Sequence, residues 1–390
     1  GRARRAMGAS KRSALTKLAE GANVAACTVL LLPPFLLSGA CVTAVLLVLF
    51  AVLWPLRREW FERCCAALVP LAANSLVVVP EWWAGVNLRC YGDTAAWEAV
   101  GRDNGIMMCN HRSDIDWLTG WAVGIRVGAL GSYRAIMKRS ALFVPVLGTL
   151  WWLSGYVFIT RNWMKDKDLM LRSFANINAS PLPYMLVLFA EGTRFTHNKL
   201  KIAQEFAKSK GMPVPKHTLV PKTRGFVAVA SNLAQSVDAV YDVTFMPAEG
   251  KPAPSLFGLF CRRPAEIHVH VRRIDAKELP EGEHELKEWC LDLFRSKDAA
   301  LEAHAKANRF DAPEYVGAPR RLDTLLIALF WVCAYAYLMW TYALPAVASL
   351  SPEGKTRIGA AGVVAAVMLV RTFIRASSAK TTDVKVPKQA

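Results

Sequence analysis

The sequence predicts an α/β domain, with a mixed sheet flanked by helices, between two membrane-embedded ends. Residues 21–56 contain no Asp, Glu, Lys or Arg, whereas one bilayer crossing needs about 20 apolar residues. Residues 324–350 form a second charge-free stretch. Between these stretches, short apolar runs alternate with helical patterns, which is typical of strands separated by helices. The predicted divisions are a basic segment at 1–20, a membrane hairpin at 21–58, an α/β domain at 59–310, a C-terminal membrane segment at 311–375 and a tail at 376–390.

The N-terminal apolar stretch is too long for one simple span. Pro33 and Pro34 remove two backbone donors, so we expect two short helices joined at depth as a hairpin. Both flanks are basic, which places both ends on the cytosolic face. Residues 1–19 are basic and lack acids, which suits a transit peptide or a cytoplasmic flank, and the apolar run that follows favours the flank. Amphipathic helices over 59–79 are predicted to lie on the bilayer.

The C-terminal stretch 324–350 carries Trp and Tyr, which favour the membrane interface, and it predicts a spanning helix. A second apolar run, 358–370, is short and rich in Ala and Gly. It predicts either a return helix or an interfacial segment. The tail is predicted to be disordered.

The net charge of +17 suits nucleic acid, an anionic bilayer surface or a phosphorylated substrate. The hydrophobic ends favour lipid, and no basic run is interleaved with a nucleic-acid module, so we do not expect nucleic acid as a partner. The nine cysteines form no CxxC pair or zinc-type spacing. We therefore expect no metal site, and cysteines that act as small buried hydrophobes in a reducing compartment.

The stretch NHRSDID at 110–116 places a histidine five residues before an acid. On one continuous helix, His111 and Asp116 would lie about 140° apart and would not touch. If the strand GIMMCN precedes the turn and a helix begins at Ser113, Ser113-x-x-Asp116 has the form of a capping box, and Asp116 comes within reach of His111. A carboxylate on one imidazole nitrogen fixes the tautomer that a general base needs. The alternative is a polar turn that only caps the helix.

Charged side chains also follow other apolar runs. Each of them alone could be a solvated strand end. Together they predict a ligand site at one edge of the sheet, and Arg suits a phosphate group. The residues concerned are Arg161 after GYVFIT, Glu191 and Arg194 after LVLFA with Gly192 and Thr193 between them, and Lys222 and Arg224 in LVPKTRGF.

These stretches resemble the conserved blocks of the glycerolipid acyltransferases, in particular the membrane-bound lysophosphatidic acid acyltransferases of the plant and algal microsomal type. The resemblance covers 82–295. NHRSDID has the family's NHx4D form, and GYVFITR (155–161), FAEGTRFT (189–196) and LVPKTRGF (219–226) resemble its second to fourth blocks. One departure is Ala190, which stands where many relatives have Pro; it leaves the turn a freer φ.

The resemblance implies transfer of a fatty acyl group from acyl-CoA, as co-substrate and without a cofactor, to the free hydroxyl of lysophosphatidic acid. It implies His111 as general base and Asp116 as its partner. Substrate contacts are implied for Arg161, Glu191, Gly192, Thr193, Arg194, Lys222 and Arg224, with motif support from Asn110, Arg112, Ser113 and Asp114. The expected location is the endoplasmic reticulum membrane with the catalytic domain facing the cytosol, or alternatively the plastid envelope.

Other interpretations stay open at this point. The same mechanism could act on another lysophospholipid, the His–Asp pair could activate water in a lipid hydrolase, or the chain could bind lipid without turnover. Ser113 lacks the Gly-x-Ser-x-Gly elbow of a nucleophile. His197 is expected near the site. His268 and His270 share one face of a strand, where a structural role is expected rather than a metal.

Overall fold

The computed structural model describes residues 2–160, 162–233, 235–251 and 253–377. The strands are β1 (Asn87–Tyr91), β2 (Gly105–Cys109), β3 (Tyr133–Lys138), β4 (Val157–Ile159), β5 (Met185–Phe189), β6 (Ala239–Pro247), β7 (Glu266–Asp275) and β8 (Glu314–Tyr315). The domain helices are α4 (Thr94–Ala99), α5 (Asp116–Arg126), α6 (Leu147–Leu153), α7 (Trp163–Asn178), α8 (His197–Ser209), α9 (Thr223–Leu233), α10 (Leu256–Phe260) and α11 (Glu283–Ala307). The terminal helices are α1 (Arg2–Leu30), α2 (Leu32–Leu56), α3 (Arg58–Val78), α12 (Leu322–Leu338), α13 (Leu344–Ala348) and α14 (Pro352–Ser377).

The strands form one eight-stranded sheet in the order β4-β3-β5-β2-β6-β7-β1-β8. The five strands from β4 to β6 pair in parallel, β7 runs antiparallel to β6, and β8 runs antiparallel to β1. The predicted mixed sheet is therefore confirmed. Strand β8 extends the sheet to Tyr315, which is beyond residue 310, the predicted end of the α/β domain.

Helices cover both faces of the sheet, and the central strand β2 shows why. Its side chains alternate between faces, as strand geometry requires. Met107 packs in the core shared with α5, whereas Ile106 and Met108 pack in the core shared with α7, α9 and α11. A strand buried on both faces reads as a continuous apolar run, as GIMMC does.

The helical hairpin differs from the prediction in where it turns. Pro33 and Pro34 lie in the first turn of α2, where a missing N–H is tolerated, and Leu31 is the single residue between α1 and α2. The helical hydrogen-bond pattern runs through this point, from Leu31 N to Cys27 O (3.0 Å) and from Phe35 N to Leu31 O (3.1 Å). The predicted break at the two prolines is therefore wrong. The chain turns instead at Arg57, between α2 and α3.

Helices α2 and α3 pack antiparallel. The hydroxyl of Ser38 donates to that of Ser75 at 3.1 Å, and the rings of Phe50 and Phe61 lie 5.3 Å apart at the other end. The buried face of α3, which includes Phe61, packs against α2 and α6. The predicted amphipathic helices over 59–79 are thus one helix, α3, whose apolar face packs against other helices of the protein.

Three helical stretches of the described residues are long and apolar enough to cross a membrane, namely Leu15–Leu56, Arg58–Trp83 and Leu322–Ala348. The last agrees with the span predicted at 324–350. Helix α14 is twice as long as the apolar run at 358–370 because it includes the polar residues on either side. Residues 378–390 lie outside the described residues, and so does the prediction for the tail beyond Ser377.

Six of the nine cysteines are buried thiols, as predicted for small hydrophobes, whereas Cys41 and Cys333 are exposed and Cys64 is half-buried. Cys41 and Cys333 lie on α2 and α12, two of the apolar terminal helices. The prediction of burial is therefore wrong for these two.

Candidate active site

The turn between β2 and α5 brings His111 and Asp116 together. Asp116 Oδ2 lies 2.8 Å from His111 Nδ1, and it also accepts the backbone N–H groups of Arg112 (2.6 Å) and Ser113 (2.9 Å). The predicted reach of Asp116 to His111 is confirmed. The carboxylate carries three polar contacts on one oxygen, which fixes its orientation at the first residue of the helix.

The predicted capping box at Ser113 is only half present. Asp116 does turn back to the N–H of Ser113, but α5 begins at Asp116, three residues later than predicted. Ser113 Oγ accepts instead from Ile115 N at 3.3 Å and donates to Pro254 O at 2.7 Å. The start of the helix was misplaced because the local hydrogen bonds of Ser113 and Asp116 hold residues 111–115 in a turn.

The imidazole of His111 is partly open. Its side chain is 27% exposed, against 5% for that of Asp116. One side of the ring lies against Phe189, with ring centroids 4.8 Å apart. Because Nδ1 is hydrogen-bonded to Asp116, Nε2 is the ring nitrogen that can accept a proton from a bound molecule.

The neighbours of His111 anchor the turn. Asn110 is fully buried, and its amide accepts from Phe245 N (2.8 Å) and donates to Phe245 O (3.0 Å), so it extends the pairing of β2 with β6. Arg112 donates to His217 O at 2.7 Å, and its guanidinium lies 4.3 Å from the ring centre of Phe195. Burial lowers the pKa of Arg112. These contacts give Asn110 and Arg112 structural roles beside the histidine.

Asp114 connects the turn to two other segments. Its Oδ1 accepts from Leu256 N at 3.1 Å, at the start of α10. Its Oδ2 lies 3.6 Å from Nη1 of Arg194, in the third predicted block. The structure therefore brings the first and third blocks together.

Glu191 follows β5, the parallel neighbour of β2, so it reaches the same edge of the sheet as His111. Its side chain is 2% exposed, and its Oε1 accepts the backbone N–H of His111 at 3.3 Å. Burial raises the pKa of Glu191 to about 8, and the hydrogen bond from His111 acts in the opposite direction. Glu191 therefore lies beneath the turn, and its predicted substrate contact stays a prediction.

Gly192 and Lys222 lie in contact. Gly192 has φ +66°, and a Cβ at this position would lie 2.8 Å from Lys222 Cδ, so both the backbone and the space favour glycine. The N–H of Lys222 donates to Ala190 O at 2.7 Å. The third and fourth blocks are thus adjacent.

The fourth block differs in secondary structure from the prediction. The segment 219–222 is not a strand, and α9 begins at Thr223, directly after Lys222. Lys222 is exposed before the helix, and Arg224 is exposed in its first turn. The apolar run LVP suggested a strand end, but it leads into Lys222, whose N–H donates to the carbonyl of Ala190, the residue after β5.

Lys199 of α8 lies beside the third block, although the sequence patterns did not indicate it as a site residue. Its Nζ donates to Thr193 Oγ1 at 2.6 Å and to Arg194 O at 3.1 Å. Thr196 caps α8 by accepting from Lys199 N at 3.3 Å. Thr196 identifies the start of α8 as an N-cap residue, and this places Lys199 in the first turn of the helix, next to the third block.

Arg161 was predicted to bind substrate and lies outside the described residues. On either side of it, Thr160 and Asn162 donate their backbone N–H groups to Asp166, at 2.8 and 2.9 Å. Asp166 is buried at the start of α7 and fixes the segment that follows β4.

The other predicted histidines make contacts of their own outside the His111–Asp116 pair. His197 begins α8, with its ring centroid 5.9 Å from that of Phe195. His268 is fully buried between His304 and Glu266, and His270 stacks on Phe310. Across the part of the chain that the structure describes, no three His, Cys, Asp or Glu side chains form a group that could hold a metal ion.

Two protein-family models match this chain. The model described as Acyltransferase matches residues 89–248, which contain β2 to β6 and the His111–Asp116 pair, and the model described as Acyltransferase C-terminus matches residues 258–331. The parallel part of the sheet and the His111 turn therefore lie within the Acyltransferase match.

Similar proteins of known name indicate which kind of acyltransferase this chain resembles. The chain is 36% identical over 358 residues to 1-acyl-sn-glycerol-3-phosphate acyltransferase 2 of Arabidopsis thaliana and 35% identical over 358 residues to that of Brassica oleracea, covering 90% of each chain in both cases. It is 32% identical over 315 residues to the delta form of Bos taurus, covering 81% of this chain and 82% of that one. The protein belongs to the 1-acyl-sn-glycerol-3-phosphate acyltransferase family.

A solved structure, the 1-acyl-sn-glycerophosphate acyltransferase PlsC from Thermotoga maritima, is a more distant match. It is 14% identical and superposes with a TM-score of 0.37, covering 68% of this chain and 96% of that one.

Proposed function

We propose that this protein transfers a fatty acyl group from acyl-CoA to the free hydroxyl of lysophosphatidic acid and so forms phosphatidic acid. The names of its relatives support lysophosphatidic acid as the acceptor, because they are called 1-acyl-sn-glycerol-3-phosphate acyltransferases. The observation that carries the mechanism is the 2.8 Å contact between His111 Nδ1 and Asp116 Oδ2, with the ring partly exposed. In this proposal His111 is the general base and Asp116 its partner.

The proton moves through the imidazole. With Asp116 accepting the proton of Nδ1, the lone pair lies on Nε2, which takes the proton of the acceptor hydroxyl as its oxygen attacks the thioester carbonyl. The tetrahedral intermediate collapses, the C–S bond breaks, and the imidazolium returns the proton to the departing coenzyme A sulfur. A thioester is already an activated acyl donor, so orientation and one base suffice. Ser113 Oγ is hydrogen-bonded to Pro254 O, which disfavours it as a nucleophile.

The cations of the second, third and fourth blocks would bind the acceptor's phosphate. Arg194 lies next to the His111 turn through Asp114, and Lys222 lies against Gly192. Arginine makes paired, charge-assisted hydrogen bonds to phosphate, and lysine adds a point charge. We assign Arg161, Arg194 and Lys222 to this role, and we assign Glu191 to holding the backbone of His111.

The terminal helices would place this chemistry at a membrane. Extracting an acyl chain into water costs about 0.8 kcal/mol per CH₂, so a site at the interface avoids most of that cost. The three candidate spans lie in the N- and C-terminal parts of the chain, on either side of the catalytic sheet. We expect the endoplasmic reticulum membrane with a cytosolic catalytic domain, or alternatively the plastid envelope.

The test is a product assay. The purified full chain in detergent micelles receives oleoyl-CoA and, separately, lysophosphatidic acid or lysophospholipids with choline, ethanolamine or inositol headgroups. Mass spectrometry of the lipids and measurement of free coenzyme A should show phosphatidic acid and coenzyme A in equal amounts. Acylation of a lysophospholipid with another headgroup, instead of lysophosphatidic acid, would show that the proposed acceptor is wrong. Free fatty acid released without coenzyme A would indicate a hydrolase, and no turnover would indicate a lipid-binding protein.

A further inference from the structure

Helix α11 carries a buried lysine that contacts the strands beneath the active site. The Lys297 side chain is 0% exposed, although lysine is rarely buried without a partner. Its Nζ is paired with the carboxylate of Asp242 and donates to Val243 O (2.8 Å) and Thr244 Oγ1 (2.9 Å), all on β6. It also reaches Met108 O on β2, at 3.3 Å. Lys297 thus joins the two strands where their pairing ends.

The strand ends held by Lys297 lead directly into the His111 turn. The β2–β6 register ends at Cys109 opposite Val243, and Met108 precedes His111 by three residues. The amide of Asn110 continues the same strand pairing by binding Phe245. Lys297 and Asn110 therefore fix the last residues of β2 in succession.

The next residue of α11 fixes the other side of the turn. Asp298 Oδ1 accepts the backbone N–H groups of His217 and Thr218, both at 2.7 Å, and the hydroxyl of Thr218 at 3.0 Å. Its Oδ2 accepts the N–H of Lys216 at 3.0 Å. His217 O is in turn the acceptor for Arg112, the residue after His111.

Two chains of contacts thus run from adjacent residues of α11 to the two neighbours of His111. One passes from Lys297 through β2 to Asn110, and the other passes from Asp298 through the 216–218 segment to Arg112. We propose that Lys297 and Asp298 are positioning residues for acyl transfer, which hold the His111 turn from outside the substrate site. This proposal rests on the proposed function of His111 as the base.

Positioning matters because a displacement of about 1 Å can lower a rate by as much as 10²-fold. A residue that acts only through position should change kcat more than the KM of the acceptor, because the substrate-binding side chains remain. We therefore expect Asp298→Ala to lower kcat about ten-fold, while the KM for lysophosphatidic acid changes less than about two-fold. Asp298→Asn keeps one carbonyl oxygen for the N–H groups of His217 and Thr218, and it should restore most of kcat.

Glu302 provides a matched control on the same helix. It also binds Lys216, but through the lysine Nζ (2.9 Å) rather than through backbone N–H groups. Glu302→Ala should leave kcat at the wild-type value. Wild-type kcat in Asp298→Ala, or equal losses in Asp298→Ala and Glu302→Ala, would overturn the role of Asp298.

Lys297 needs a paired substitution, because removing it alone would leave Asp242 as a buried carboxylate without its lysine and could unfold the protein. The double variant Lys297→Met/Asp242→Asn removes both charges together. We expect a Tm close to that of the wild type and a kcat lowered about ten-fold. A double variant that is folded and has full kcat would refute the positioning role of Lys297.

A readout without substrate separates this inference from the proposed function. Diethyl pyrocarbonate labels exposed imidazoles, and mass spectrometry of the peptide that contains His111 gives its labelling rate in the full chain. Asp298→Ala should increase this rate, because the turn moves away from Phe189 and Asp116, whereas Glu302→Ala should not. If the wild type forms no phosphatidic acid, the proposed function fails, and the labelling rates still decide whether α11 holds the turn. Equal rates in the three proteins would overturn the inference.

Discussion

Among the described residues, two histidine–carboxylate pairs have nearly equal contact distances but different surroundings. His111 Nδ1 lies 2.8 Å from Asp116 Oδ2, and His268 Nε2 lies 3.0 Å from Glu266 Oε1. The side chain of His111 is 27% exposed, whereas that of His268 is 0% exposed. The second ring nitrogen of His268 is occupied by His304 at 2.8 Å. A short contact with a carboxylate therefore does not make a base; the other nitrogen must also be accessible to a substrate.

The two pairs differ in the rest of their polar environment as well. Asp116 is held by two backbone N–H groups at a turn, which keeps its position fixed. Glu266 lies on β7, and the hydrogen bond from His268 lowers its pKa. Burial lowers the pKa of His304 to about 4, so this imidazole stays neutral near pH 7. The second pair is thus part of a hydrogen-bonded chain that connects β7 to α11.

Removing His111 should have the largest effect on activity. A general base contributes a factor of about 10²–10⁴, so His111→Ala should lower kcat/KM for acyl transfer by that factor. The measurement is phosphatidic acid formation at several acceptor concentrations, with the Tm of each variant as a test of folding. His197→Ala, which changes a nearby ring on α8, serves as the control and should keep its activity. Activity of His111→Ala within a few-fold of the wild type would contradict the proposed base.

The carboxylate partners give the second test of the comparison. Asp116→Asn keeps the shape of the side chain and an oxygen for the backbone donors, but it removes the charge that stabilises the imidazolium. We expect a loss in kcat on the order of 10²-fold. Glu266→Gln makes the same chemical change in the buried pair and should leave kcat nearly unchanged. Similar losses in both variants would show that the two pairs are not functionally distinct.

Changing the buried histidine should affect stability rather than chemistry. His268→Ala removes two hydrogen bonds and leaves a cavity, so it should lower the free energy of unfolding by about 1–3 kcal/mol. Activity per folded molecule should stay at the wild-type value. The measurement combines Tm with kcat normalised to the folded fraction. A large fall in normalised kcat without a change in Tm would place His268 in the reaction.

Sequence patterns predicted those parts of the fold and site that depend on residues close together along the chain. The contact of His111 with Asp116 could be predicted because both lie within one seven-residue stretch between a strand and a helix. The position of Glu191 beneath His111 could not, because its burial depends on the pairing of β5 with β2. Lys297 and Asp298 were missed for the same reason, since Lys297 is 189 residues from Met108 along the chain.

The errors in the terminal and fourth-block predictions have local physical causes. The prediction that Pro33 and Pro34 break the membrane helix is wrong, because proline is tolerated in the first turn of a helix. The run LVP before Lys222 has strand-like composition, yet it is not a strand. It is followed by Lys222, which binds the carbonyl of Ala190 after β5, and then at once by α9. Composition alone does not distinguish these arrangements.

Glu191 provides the smallest and most specific test, because it contacts His111 only through the backbone. Its pKa is raised by burial from an ordinary value of 4.5 to about 8, so between these pH values the folded state holds a proton that the unfolded state has lost. This carboxyl therefore contributes stability that is fully present below about pH 4.5 and is lost as the pH rises through 8. Glu191→Gln resembles the protonated acid and lacks this dependence, so its Tm relative to the wild type should rise with pH and level off above 8. Thermal unfolding of both proteins from about pH 5 to 9 measures the difference. A constant difference across that range would mean that Glu191 is ionised in the folded protein, and the carboxylate beneath the His111 turn would then add a second negative charge beside that of Asp116.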